Sequence, residues 1–129
     1  MIPTTLSLCA AAALINLWIF FRVVKIRGSE KINHGDGGNA LLARRMRAHA
    51  NFIENTPLVL LLIGGLELSG KGGQWLAIVG GIFILGRVAH VIGMDSEKPA
   101  LPRWAGTVTA LLTQLGLAVV AVLTVLGKF

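Results

Sequence analysis

Apolar residues run through this chain in four long blocks, Ile2–Phe21, Phe52–Leu68, Gln74–Met94 and Trp104–Leu126. Each is close to the roughly 20 residues that an α-helix needs to cross the hydrocarbon of a bilayer. None alternates with the period of two that a half-buried strand would show. The pattern therefore predicts an all-α fold, an integral membrane four-helix bundle forming a single domain. The first block carries no charge, and its basic residues follow the apolar run instead of preceding it. It reads as a retained helix inserted with its N-terminus outward rather than as a cleaved signal.

The polar remainder is concentrated in one place, Arg22–Asn51. His34-Gly35-Asp36-Gly37-Gly38-Asn39 is a turn cluster in which three glycines can take positive φ. It lacks the Lys-Ser/Thr ending of a phosphate-binding loop, so a plain turn is expected. Asn39 is placed to cap a helix beginning at Ala40, which should run unbroken into the second span to about Ser69, with a kink at Pro57. Ser69–Gly73 and Asp95–Arg103 read as the other two connections, and Pro102 suits the first turn of the last helix. Gly106 and Ala110 form a pair of small residues one turn apart, as closely packed membrane helices require.

Composition sharpens this picture. The chain has 129 residues, 54% of them hydrophobic and 14% charged, with a mean hydropathy of +0.74. Soluble domains carry about 25% charged residues, so this composition disfavours a soluble enzyme. The single Cys excludes an internal disulfide and provides no metal-ligand cluster. Seven of the twelve Lys and Arg lie in the first loop, two more (Lys98 and Arg103) in the third, and only Lys71 and Lys128 on the other side. This bias predicts both termini outside and the first and third loops in the cytosol. Topology and anionic lipid then explain the net charge of +6. The first loop has no aromatic residue between Val23 and Asn51, so a nucleic-acid surface is not expected.

Polar groups at membrane depth are costly and point to function by default. Arg44, Arg47, Asn51 and Glu54 recur at spacings of 3, 4 and 3, which places them on one helix stripe. Arg45 and His49 share a neighbouring face. Arg87, His90 and Met94 make a second stripe, and Arg103 and Thr107 begin a third. The plain reading is juxtamembrane anchoring and a structural ion pair of Glu54 with Arg47 or Arg87. The functional reading is a polar pocket for a small zwitterion bearing several carboxylates, because Arg supplies a planar donor fork and Asn both donor and acceptor. Glu67, near the outer end and four residues before Lys71, reads as a structural residue that can snorkel. Asn16 reads as an interhelical hydrogen bonder. The first span has no acid to couple protons, which argues against a small multidrug exporter.

The segment from Arg44 to Leu58 resembles the signature of the membrane-associated proteins in eicosanoid and glutathione metabolism, the MAPEG superfamily. Its Arg-x-x-x-Asn-x-x-Glu core is filled by Arg47, Asn51 and Glu54. Gly35-Asp36-Gly37-Gly38 is similar to bacterial members, and Arg87 to Gly93 is similar to the third helix of the family. The resemblance covers nearly the whole chain. It implies a homotrimer that binds glutathione between subunits near the cytosolic face of a bacterial inner membrane. On that resemblance Arg47, Asn51 and Glu54 hold the charged ends of glutathione, while His49, His90 and Thr107 line the site. Arg22, or Lys25 beside it, is the first-helix contact. Arg103 is the catalytic candidate, favouring the thiolate that attacks a lipophilic electrophile or hydroperoxide. The sequence departs from the eicosanoid enzymes in having no Tyr; Met94 and Thr107 occupy the matching positions. That departure keeps open a second reading, a non-catalytic lipid-binding or scaffold member.

Overall fold

A computed structural model describes residues 1–129. It is all helical: α1 Pro3–Glu30, α2 Ala40–Leu66, α3 Gln74–Gly93 and α4 Leu101–Val125. All four are long and apolar enough to cross a membrane. The local signals act where the chain chemistry places them. Pro3 and Pro102 occupy first-turn positions, where their missing N–H costs nothing. The Asn39 side chain accepts from the Leu42 N–H at 2.9 Å and caps α2. Gly35, Gly37 and Gly38 all take positive φ in the turn before it.

Three boundaries differ from the pattern of apolar residues. α1 continues past Phe21 to Glu30, because helical hydrogen bonding does not stop where the side chains turn polar. α2 is α-helical only to Leu66. A wider turn follows over Glu67–Lys71, and within it Gly70, at a φ of 74°, breaks the helical path. α4 begins three residues earlier than its apolar run. Pro57 sits inside α2 without ending it.

Each helix buries one narrow stripe. On α4 it is Gly106, Ala110, Thr113 and Leu117; on α2 it includes Ala48, Phe52, Thr56, Val59 and Ile63. The buried residues form two apolar clusters. One joins Leu8, Val59, Ile63, Leu76, Phe83 and Leu117. The other joins Ala12, Ile19, Ala48, Phe52, Val91 and Met94. Opposite faces remain apolar but exposed, with Leu111, Leu112, Leu115 and Val122 all more than half exposed on α4. A lipid-facing surface can remain apolar because acyl chains solvate it as well as a protein interior does.

α3 and α4 make the most extensive helix contact, followed by α1 and α2. Glycine allows the first of these. A Cβ at Gly106 would lie 2.5 Å from the Gly86 carbonyl oxygen and 2.5 Å from His90 Cβ, and one at Gly93 would lie 2.4 Å from the Arg103 nitrogen. The close approach expected at Gly106 is therefore present. At the other end, Glu67 reaches across to α1. Its carboxylate accepts from the Thr4 and Thr5 N–H groups at 2.9 and 2.8 Å and from the Thr5 hydroxyl at 2.7 Å. It thus caps α1 from another helix, at the end where the helix dipole favours a negative charge.

Candidate functional site

Asn51 is the member of the α2 polar stripe that meets the α3–α4 pair. Arg47 donates to Glu54 at 3.0 Å, and both side chains are more than half exposed, 60% and 54%. The structure thus selects Arg47, not Arg87, as the partner of Glu54. Asn51 lies between them and accepts at its Oδ1 from Arg87 Nη1 at 2.6 Å. Arg87 Nη2 donates to the Gly106 carbonyl at 2.5 Å. One guanidinium therefore links α2, α3 and α4.

Arg87 is almost completely buried, at 1% exposure, and has no carboxylate partner. Its Nε finds no acceptor. The Phe83 ring, 5.7 Å from the guanidinium carbon, offers it a π face. His90, one turn along α3, is buried, and its ring makes no hydrogen bond. Gly106 of α4 packs directly on His90 Cβ, and the Arg103 backbone packs on Gly93, one turn further along α3. Arg103 itself forms no ion pair and finds no side-chain acceptor. Thr107 donates its hydroxyl to the Arg103 carbonyl at 3.0 Å.

Arg47, Asn51, Glu54, His90, Arg103 and Thr107 therefore gather at one end of the α2–α3–α4 face, around Arg87. Two predicted residues lie elsewhere. His49 Nε2 is 2.8 Å from Asn16 Oδ1, which directs the imidazole to α1 and confirms Asn16 as an interhelical partner. Arg22 pairs with Asp95, just beyond the end of α3. Arg45 reaches both oxygens of the same carboxylate at 3.2 Å, and Arg44 donates to the Asp95 backbone carbonyl at 3.2 Å. Burial alone would raise the Asp95 carboxyl, but the hydrogen bonds and charges of Arg45 and Arg22 hold it below the ordinary carboxylate value.

Two participants were not visible in the sequence pattern. Asp95 looked like the first residue of a loop, and nothing local marks it as the partner of three arginines. Gln114 donates to Asn55 Oδ1 at 2.6 Å, while Asn55 donates to the Asn51 carbonyl at 2.8 Å. The spacing of Arg103, Thr107 and Gln114 at 4 and 7 was the available signal, since it puts all three on one face of α4.

Comparison with known proteins gives a consistent picture. A family model described as MAPEG family matches residues 5–123. The curated relatives include Inner membrane protein YecN from two Escherichia coli strains. It is 30% identical over 93 residues, which cover 72% of this chain and 69% of the relative. The four apolar helices and this inner-membrane relative identify an integral membrane protein.

Proposed function

This chain belongs to the MAPEG family, and from that premise we propose that it binds glutathione on the α2–α3–α4 face and acts as a membrane transferase or peroxidase. Its second substrate is a lipophilic electrophile or hydroperoxide that arrives through the bilayer. The observation that carries this reading is a charge imbalance. Arg47, Arg87 and Arg103 lie at this end of the bundle with Glu54 as the one paired carboxylate. The local excess is two positive charges, in surroundings where uncompensated charge is expensive. Glutathione carries two carboxylates and one ammonium and, once its thiol ionises, a net charge of minus two.

Each residue then has a role that its chemistry suits. Arg47 offers a planar fork to a carboxylate, and Glu54 accepts from the ammonium. Arg87 keeps Asn51 oriented between them. Arg103, free of protein acceptors, stands beside the sulfur. A nearby cation lowers a thiol from about 8.5, each unit representing about 1.36 kcal/mol. In conjugation the thiol proton passes to water, sulfur bonds to the electrophilic carbon, and the leaving group departs with its electron pair. The exposure of Arg47 and Glu54 favours closure of the site by a neighbouring protomer in a homotrimer. The distribution of Lys and Arg favours a cytosolic site with both termini extracytoplasmic.

Calorimetry of the detergent-purified protein with glutathione tests binding. Heat should saturate within millimolar glutathione, and Arg47→Ala should weaken binding about tenfold. No heat at millimolar glutathione refutes the reading. Conjugation of a chlorinated nitroaromatic tests catalysis, and equal rates for Arg103→Ala and the natural protein would remove Arg103 from the mechanism.

One observation favours a second reading, that of a non-catalytic lipid-binding or scaffold member. Thr107 spends its hydroxyl proton on its own helix, and Met94 is buried in the apolar core. Neither supplies the hydroxyl that related enzymes carry there. Glutathione binding without turnover would establish this alternative.

A further inference from the structure

The Asp95 cluster lies outside the proposed glutathione site and has its own charge problem. Arg22 comes from α1, Arg44 and Arg45 from α2, and Asp95 is the one carboxylate that any of them meets. Glu97, the other acid of the α3–α4 loop, forms no ion pair. Three guanidiniums against one carboxylate leave two positive charges in excess. The group is shielded: the side chains of Arg22 and Arg45 are 18% exposed and that of Asp95 is 32% exposed.

The donors are only partly used. Arg45 spends Nε and Nη2 on Asp95 and Nη1 on the Arg22 carbonyl. Arg22 gives Nη2 to Asp95 and lays its guanidinium 5.0 Å from the Trp18 ring centre. Arg44 uses only Nε, on the Asp95 carbonyl, so its two terminal nitrogens have no protein acceptor. The depth of the cluster is also informative. Arg22 lies 19 residues beyond Pro3 in α1, about 29 Å along the helix axis. That is close to the roughly 30 Å hydrocarbon thickness, so the cluster stands at the headgroup level.

We infer that Arg44 and Arg22, drawn together by Asp95, form a binding site for a phosphodiester, supplied by the headgroup of an anionic phospholipid. A guanidinium fork matches two phosphate oxygens, and the phosphate cancels part of the excess charge. Basic pockets between helices at this membrane side are suited to such headgroups. Asp95 keeps the arginines from splaying when no phosphate is present.

Lipid retention on the intact protein tests this. The detergent-purified chain is offered an equimolar mixture of phosphatidylglycerol and phosphatidylcholine, and bound lipid is counted by native mass spectrometry. The natural protein should retain phosphatidylglycerol preferentially. Arg44→Gln should lose about tenfold of that preference, while Lys98→Gln, in the neighbouring loop, should keep it. No preference in the natural protein, or an undiminished one in Arg44→Gln, overturns the site. Should Arg44→Gln fail to fold, Arg44→Lys decides: a reduced preference supports the two-pronged contact, and an unchanged one overturns it. Millimolar glycerophosphoglycerol, a soluble phosphodiester, separates the sources. Displacement of lipid means the site reads phosphate alone, and resistance means the acyl chains hold the lipid there; either result supports a phosphate site.

Discussion

Arg44 and Arg47 lie three residues apart on one helix, yet they belong to different chemistry. Arg44 joins a shielded cluster in which Asp95 is saturated by Arg22 and Arg45. Arg47 belongs to an open cluster, where its pairing with Glu54 is exposed and Arg103 has no acceptor. The first arrangement ties α1 and α2 to the α3–α4 loop. The second leaves charged groups free to meet a ligand. Identical side chains serve a shielded cluster at the headgroup level or an open one according to which neighbours share their charge.

The largest expected effect tests whether Arg87 is the structural base of the open cluster. Arg87→Ala strands Asn51 Oδ1 and the Gly106 carbonyl and empties a packed space. The loss should be on the order of 3 kcal/mol, read as a lowered unfolding temperature in detergent. Arg87→Lys should recover only part of it, because one ammonium cannot span both acceptors as the fork does.

Asp95→Asn tests whether the shielded cluster and the open site are separate. Leaving Arg22 and Arg45 without their carboxylate should cost about 2 kcal/mol, while glutathione affinity should change less than in Arg47→Ala. Equal loss of glutathione binding in both variants would merge the two clusters into one site.

Acid unfolding tests the shielded cluster further. The carboxyl of Asp95 is held below its ordinary value of 3.8. A lowered folded value means that its stabilisation is fully present above the ordinary value. It declines as pH falls from there toward the folded value and is absent below that. The difference in unfolding temperature between the natural protein and Asp95→Asn should stay constant from neutral pH down to about 4 and then shrink. A difference that fades already near pH 6 would mean that another group holds the shielded cluster.

The smallest effect concerns the exposed pair. Glu54→Gln should cost less than about 0.5 kcal/mol of stability, since solvent screens a pair this open. It should nevertheless weaken glutathione binding measurably by calorimetry. A large stability loss would show that Arg47 and Glu54 form a structural bridge.

Much of the architecture was legible because it depends on local chemistry. A block of about 20 apolar residues defines a span, Asn39 caps the nearest free N–H groups, and glycine takes the positive φ of a turn. The spacing of Arg47, Asn51 and Glu54 likewise placed them on one face, and the fold gathers them with Arg87, His90 and Arg103. The illegible part involves partners distant in sequence. Asp95 meets residues 50 to 73 positions away, Gln114 meets Asn55 at 59, and Glu67 caps a helix that begins more than 60 residues earlier. No periodicity encodes such pairings, because they depend on how helices are rotated and stacked.

By itself, then, the sequence determined the solvent, the number of helices and the polar stripe each helix presents, because the hydrophobic effect and helical periodicity act along the chain. Only the tertiary structure decided how those polar groups were shared. It assigned Arg22, Arg44 and Arg45 to Asp95, His49 to Asn16, and Arg87 to Asn51 and the Gly106 carbonyl. The physical reason is that a charge in an apolar medium must find the nearest complement, and only the packed helices establish which complement is nearest.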